Sequence, residues 1–167
     1  MSDPDDRTAG PQPGESQKER IDRELIELLN GLRVILPGVQ VILAFLLTVP
    51  FSSRFPNLTD TQHLLYFLSV LLTVGAIAAL TLPAAYHRIR FREGDKERML
   101  QISNVFAIAG LVLLALAMAM VVFLVTDVLF GMSVAAPVAV LVLAMFVGTW
   151  FVIPLWRKAT DDEPSAG

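Results

Sequence analysis

Four stretches of the chain, residues 34–51, 63–86, 102–125 and 132–155, are apolar almost throughout and hold no Asp, Glu, Lys or Arg. At 1.5 Å of rise per residue, each is about long enough as a helix to cross a hydrocarbon core roughly 30 Å thick. Ahead of them the pattern changes. Ile21, Leu25, Leu28, Leu29 and Leu32 recur at helical spacing, with Lys18, Asp22, Arg23, Glu24 and Glu27 between them. That is an amphipathic helix with one apolar stripe. Ser16 and Glu19 fit the S-x-x-E pattern of a helix start. The expected fold is all-α: a four-helix transmembrane bundle, residues 34–158, with an N-terminal cytoplasmic amphipathic helix over residues 16–33.

Pro37-Gly38 stands between the amphipathic stripe and the first span. Proline has no N–H for the carbonyl four residues back, so a kink or break is expected near Leu36. Residues 1–15 and 159–167 are rich in Pro, Gly, Ser and Asp and lack apolar periodicity. They are expected to form disordered tails. No apolar segment precedes Val34, so the first span is read as uncleaved.

Charge gives the threading. Arg7, Lys18, Arg20, Arg23 and Arg33 precede the first span. Arg88, Arg90, Arg92, Lys96 and Arg98 lie between the second and third, and Arg157 and Lys158 follow the fourth. Only Arg54 lies between the first and second spans, and no basic residue falls between the third and fourth. This bias predicts a multi-pass protein of the cell membrane with both termini in the cytoplasm. Gly94-Asp95 marks a turn, so the second and third spans should extend past the membrane as a helical hairpin. Arg88, Arg90 and Arg92 would then face Asp22, Glu24 and Glu27, or bind lipid headgroups together with Arg33. The short Thr126–Gly131 connection makes spans three and four antiparallel neighbours.

Composition narrows the chemistry. Apolar residues make up 54% of the 167, and there is no cysteine, which excludes disulfides, thiolate metal sites and a Cys nucleophile. A net charge of −3 offers nucleic acid no attraction. No Asp, Glu, Lys or Arg falls in a span, and such residues are the usual mark of proton relays, antiporters and intramembrane proteases. His63 and His87 lie a membrane thickness apart and cannot share a metal, so no cofactor or metal is expected. Small residues at i, i+4 (Gly75–Ala79, Ala115–Ala119, Ala135–Ala139, Ala144–Gly148) allow close helix approach, within the chain or against another.

Three polar side chains converge in depth. Gln40 is seven residues past Arg33, Thr81 seven before Arg88 and Asn104 six past Arg98, which puts each about 9–10 Å into the membrane from the same side. An unpaired amide in hydrocarbon is costly, so the three are expected to turn inward and meet. This inner-leaflet cluster is the sequence's candidate site. The expected partners are the lipid bilayer and a second copy or another membrane protein.

The run Asp22–Asn30, then Arg33, Pro37-Gly38, Gln40-Val41, Ala44–Leu47 and Pro50-Phe51, with Tyr86-His87-Arg88 and Phe91-Arg92, resembles an uncharacterised family of small four-span bacterial membrane proteins. That family is labelled only as a domain of unknown function and is found mainly in high-GC Gram-positive bacteria. The resemblance covers about residues 18–155. It implies the inner membrane of a bacterium and the same four-span layout, with no activity, cofactor or site residue attached. The functional expectation is therefore a non-enzymatic structural or accessory membrane protein. A subunit of a small oligomeric channel or exporter, and a lipid-processing enzyme, are the alternatives.

Overall fold

The computed structural model describes residues 17–90, 96–153 and 156. These form four long helices with no strand among the described residues: α1 (Gln17–Thr48), α2 (Asp60–Arg90), α3 (Lys96–Phe130) and α4 (Met132–Val147). All four are long and apolar enough to cross a membrane. The all-α four-span architecture read from the hydropathy pattern is the one found. Both sequence-predicted tails lie outside the described residues.

Of the kink or break expected near Leu36, the break does not occur. The amphipathic segment and the first span form one helix, and Pro37 sits inside it without a break. The missing N–H affects one bond, that to the Arg33 carbonyl, and the surrounding turns carry the helix through. The apolar stripe of the N-terminal half packs inward: Ile21, Leu25 and Leu32 are buried, and Leu28 packs against the core beside Leu32. The amphipathic segment is thus held by the bundle itself. Its polar face is laced by Arg20 to Glu24 at 2.8 Å and Arg23 to Glu27 at 3.4 Å, pairs one helical turn apart.

α3 is the centre of the assembly. It packs on α1, α2 and α4, while among the described residues the backbone of α4 lies close to α3 and to no other long helix. Small residues bring α2 and α3 together: Ala76 and Ala107 are buried in one core cluster, and a Cβ at Gly75 would meet Leu113. Gly110 marks the tightest point. A Cβ built there would lie 2.6 Å from Leu80 Cγ and 3.2 Å from the Leu80 backbone nitrogen. Leu80 and Val39, at 0% and 1% exposure, anchor the main core with Leu32, Ala107 and Leu114. Of the four small-residue pairs, Ala79, Ala115, Ala119 and Ala135 are buried within the chain, whereas Ala144 is exposed and Gly148 has open space around it.

The connection between α3 and α4 is tighter than the six-residue loop expected at Thr126–Gly131. α3 continues to Phe130, and Gly131 alone separates it from α4. Gly131 has φ 84° and ψ 169°, a region open essentially only to glycine. Its N–H donates to the Asp127 carbonyl at 2.9 Å, and its carbonyl accepts from Ala135 at 3.1 Å. The helices around the other connection also run long, α2 to Arg90 and α3 from Lys96, as a helical hairpin requires. The Gly94-Asp95 turn lies outside the described residues. α4 ends in a single π turn, Gly148–Val152. There Trp150 packs on the main core, and its ring meets Phe146 at 4.7 Å.

Candidate functional site

The predicted inner-leaflet cluster is not assembled within the chain. Gln40 and Asn104 are exposed on the bundle surface, on α1 and α3. Thr81 is half-buried, and its hydroxyl donates to the carbonyls of Ile77 at 2.8 Å and Ala78 at 3.1 Å. The fully buried polar side chains are Ser69, Thr73 and Ser103, each at 0% exposure. Ser69 donates to the Leu65 carbonyl at 2.7 Å and Thr73 to the Ser69 carbonyl at 2.8 Å. These hydroxyls close onto their own helix one turn back. Ser103 Oγ is buried with no hydrogen-bond partner. Glu24 and Glu27 pair with Arg20 and Arg23, one turn away on their own helix. Asp22 has an interaction of its own. Arg33 and Arg88 are exposed. The side chain of Arg90 and the whole of Arg92 lie outside the described residues.

At the opposite end, the structure builds a site that the hydropathy pattern did not reveal. Its frame starts at the C-terminus of α1, where the last four carbonyls lack helical donors. Thr48 Oγ1 donates to the Phe45 carbonyl at 2.7 Å, and the Tyr66 hydroxyl of α2 donates to the Leu46 carbonyl at 3.0 Å. The Leu46 carbonyl is an orphan because Pro50, four residues on, has no N–H, and Tyr66 satisfies it from across the bundle. The chain then makes two short 3-10 turns, Val49–Phe51 and Phe55–Asn57, each with a proline near its start. Pro50 and Pro56 restrict the backbone there. Phe55 is folded back so that its ring stands edge-on to His63 at 4.7 Å and to Tyr66 at 5.2 Å.

α2 opens with Thr59 and Gln62 in a reciprocal cap. Gln62 Oε1 accepts the Thr59 N–H at 3.0 Å, and Thr59 Oγ1 accepts the Gln62 N–H at 3.3 Å. The amide nitrogen of Gln62 then donates to Asp127 Oδ2 on α3 at 2.8 Å, in a partly buried position. One side chain thus caps its own helix and ties α2 to α3.

Between these elements lies a pocket of about 220 Å³. Leu46, Val49, Leu58, Tyr66, Val121 and Leu124 are among its walls, with Phe55 beside them and Val125, Val128 and Leu129 at the α3 side. Its polar lining comes from Ser52 and Arg54. The signals for this site were present in the sequence. Thr59 and Gln62 have the spacing of a capping box, and Tyr66 is a phenol inside a span, whose hydroxyl must find a partner when buried. The apolar run ends at Val125 and so places Asp127 in a loop, yet it lies inside α3.

Among the described residues no group of three or more His, Asp or Glu could hold a metal. No nucleophile in the pocket is paired with a base. A family model described as a family of unknown function, DUF6328, matches residues 14–154. The chain belongs to the DUF6328 family. No curated protein and no solved structure matches it significantly. The match spans all four membrane helices and the amphipathic part of α1, so both ends of the bundle belong to this DUF6328 member's family region. The resemblance noted from Asp22–Asn30 and Tyr86-His87-Arg88 therefore points to a family that brings no activity with it.

Proposed function

We propose that this DUF6328 protein is a non-enzymatic accessory protein of the cell membrane, threaded with both termini in the cytoplasm. One observation carries the reading. The interior hydroxyls of Ser69, Thr73 and Thr81 are bonded to backbone carbonyls of their own helix, Ser103 Oγ is the only buried side-chain oxygen without a partner among the described residues, and the buried members of the main core around Val39 and Leu80 are aliphatic. Such an interior offers no continuous polar path for an ion and no acid–base pair for a reaction. The orientation rests on the basic residues gathered at the end bearing Arg20, Arg23, Arg88 and Arg98.

A second reading, a subunit of a small oligomeric channel or exporter, has one observation in its favour. Gln40 and Asn104 are exposed at membrane depth, where an amide calls for a partner from another chain or for water. Reconstitution separates the two. Purified protein in liposomes loaded with a potassium-sensitive or proton-sensitive dye should leave the leak rate unchanged under the accessory reading. A protein-dependent flux lost on Gln40→Leu would replace it with the channel reading. Threading is tested by a reporter active only outside the cytoplasm, which should work when fused after Pro56 and be silent after Gly94.

A further inference from the structure

We propose that the pocket beneath the α1–α2 connection is a binding site for an anionic phospholipid, with an acyl chain against the Tyr66–Leu124 wall and the phosphate at Arg54. This goes beyond the accessory reading and does not depend on the direction of threading.

The pocket is preformed. Tyr66 is pinned by its hydroxyl to the Leu46 carbonyl, Phe55 is stacked edge-on against it, and prolines stiffen the connection above. A wall held this way need not be ordered when a guest enters. It also lies where a lipid can reach it: Val125, Val128 and Leu129 line the pocket and are themselves exposed on the α3 surface. The lining is aliphatic and aromatic apart from Ser52 and Arg54, which suits a hydrocarbon chain and little else.

Apolar walls alone cannot select a lipid, because an acyl chain in the bilayer is already among apolar neighbours. Selection must come from the polar rim. Arg54 is the sole basic residue between the first two spans, it lines the pocket, and no carboxylate pairs with it among the described residues. The nearby acid on α3, Asp127, is engaged by Gln62 and does not line the pocket. Arg54 is exposed at the rim of this apolar slot, and a guanidinium at a membrane boundary has the charge and the fork geometry for a phosphate.

The test uses the full chain in neutral detergent. Native mass spectrometry with added phosphatidylglycerol should show one lipid retained more tightly than phosphatidylcholine of the same chains. Arg54→Gln should weaken that retention about fivefold, the loss expected for one basic residue at a membrane surface. Inorganic phosphate should not compete, because the acyl chain is part of the recognition. Equal retention of the two lipids, or an unchanged Arg54→Gln protein, would overturn the proposal. Competition by phosphate would assign the site to a free anion instead. Phosphatidylglycerol carrying a photoreactive group in its acyl chain gives a readout without mutation. Labels within residues 46–66 and 121–129 support the site, and labels confined to other segments refute it.

Discussion

Gly110→Ala tests the α2–α3 seam most directly. The added methyl would begin 2.6 Å from Leu80 Cγ and 2.7 Å from its Cδ2, with the Leu80 backbone nitrogen at 3.2 Å. Leu80 is fully buried, so its side chain has nowhere to swing, and the two helices must move apart. Overpacking of this kind costs about 1–3 kcal/mol. Replacing glycine by alanine in a helix returns about 1 kcal/mol. The net expectation is a loss of up to about 2 kcal/mol, a fall of up to roughly 8 °C in melting temperature for a chain of this size, and a protein about 1–3 kcal/mol less stable than one in which the same change meets no neighbour. Gly31→Ala is the internal control, because nothing lies within 4 Å of its Cβ, and that variant should melt at or above the wild type. Thermal unfolding of purified protein in one detergent measures both. The double variant Gly110→Ala with Leu80→Ala completes a cycle: if the clash is real, the two changes together should cost at least about 1 kcal/mol less than their sum. A Gly110→Ala protein that melts with Gly31→Ala, or a cycle without coupling, would refute the close approach.

Four further outcomes follow from the same geometry. Tyr66→Phe removes the donor to the Leu46 carbonyl and should cost about 1 kcal/mol in the same melt, with the pocket wall loosened so that lipid retention falls too. Asp127→Ala leaves the Gln62 amide without its acceptor and should cost about 1.5–3 kcal/mol; a neutral effect would mean that the bond does not tie α2 to α3. Gly131→Ala forces a side chain into φ 84° and should cost about 1–3 kcal/mol, whereas Gly148→Ala, helical and unobstructed, should be tolerated. Leu25→Asp, at a side chain only 3% exposed, should release the N-terminal half of α1 to protease in inverted vesicles, and continued protection would show that burial of this stripe is not what holds it.

The spans were legible because membrane solvation writes itself in long runs: no other fold needs twenty apolar residues in a row. The inward stripe of Ile21, Leu25 and Leu32 was equally plain, since a period of 3.6 has one reading. Helix ends were harder. Hydropathy stops where the chain meets water, but helical hydrogen bonding does not, so α3 runs on through Asp127 to Phe130 and leaves Gly131 to turn alone. Pro37 failed as a break for a related reason. Losing one hydrogen bond in a 32-residue helix is a local cost, and the packing of Leu32 and Val39 on either side exceeds it. The convergence of Gln40, Thr81 and Asn104 rested on depth alone. Depth does not give azimuth, and Gln40 and Asn104 turn out to point away from the core. The opposite-end pocket depends on a contact between Tyr66 and a carbonyl 20 residues earlier, which no local pattern encodes.

The single-residue link at Gly131 also bears on how the protein is made. A helix emerging from the insertion machinery can normally rest across the membrane while a loop follows at leisure. Here no loop exists, and α3 and α4 share one turn of backbone on the way from one to the other. α3 cannot settle with its end exposed to water unless α4 has already begun to fold back beside it. Since α4 lies against α3 alone among the long described helices, the two should partition as a paired hairpin onto α1 and α2, which precede them in the chain.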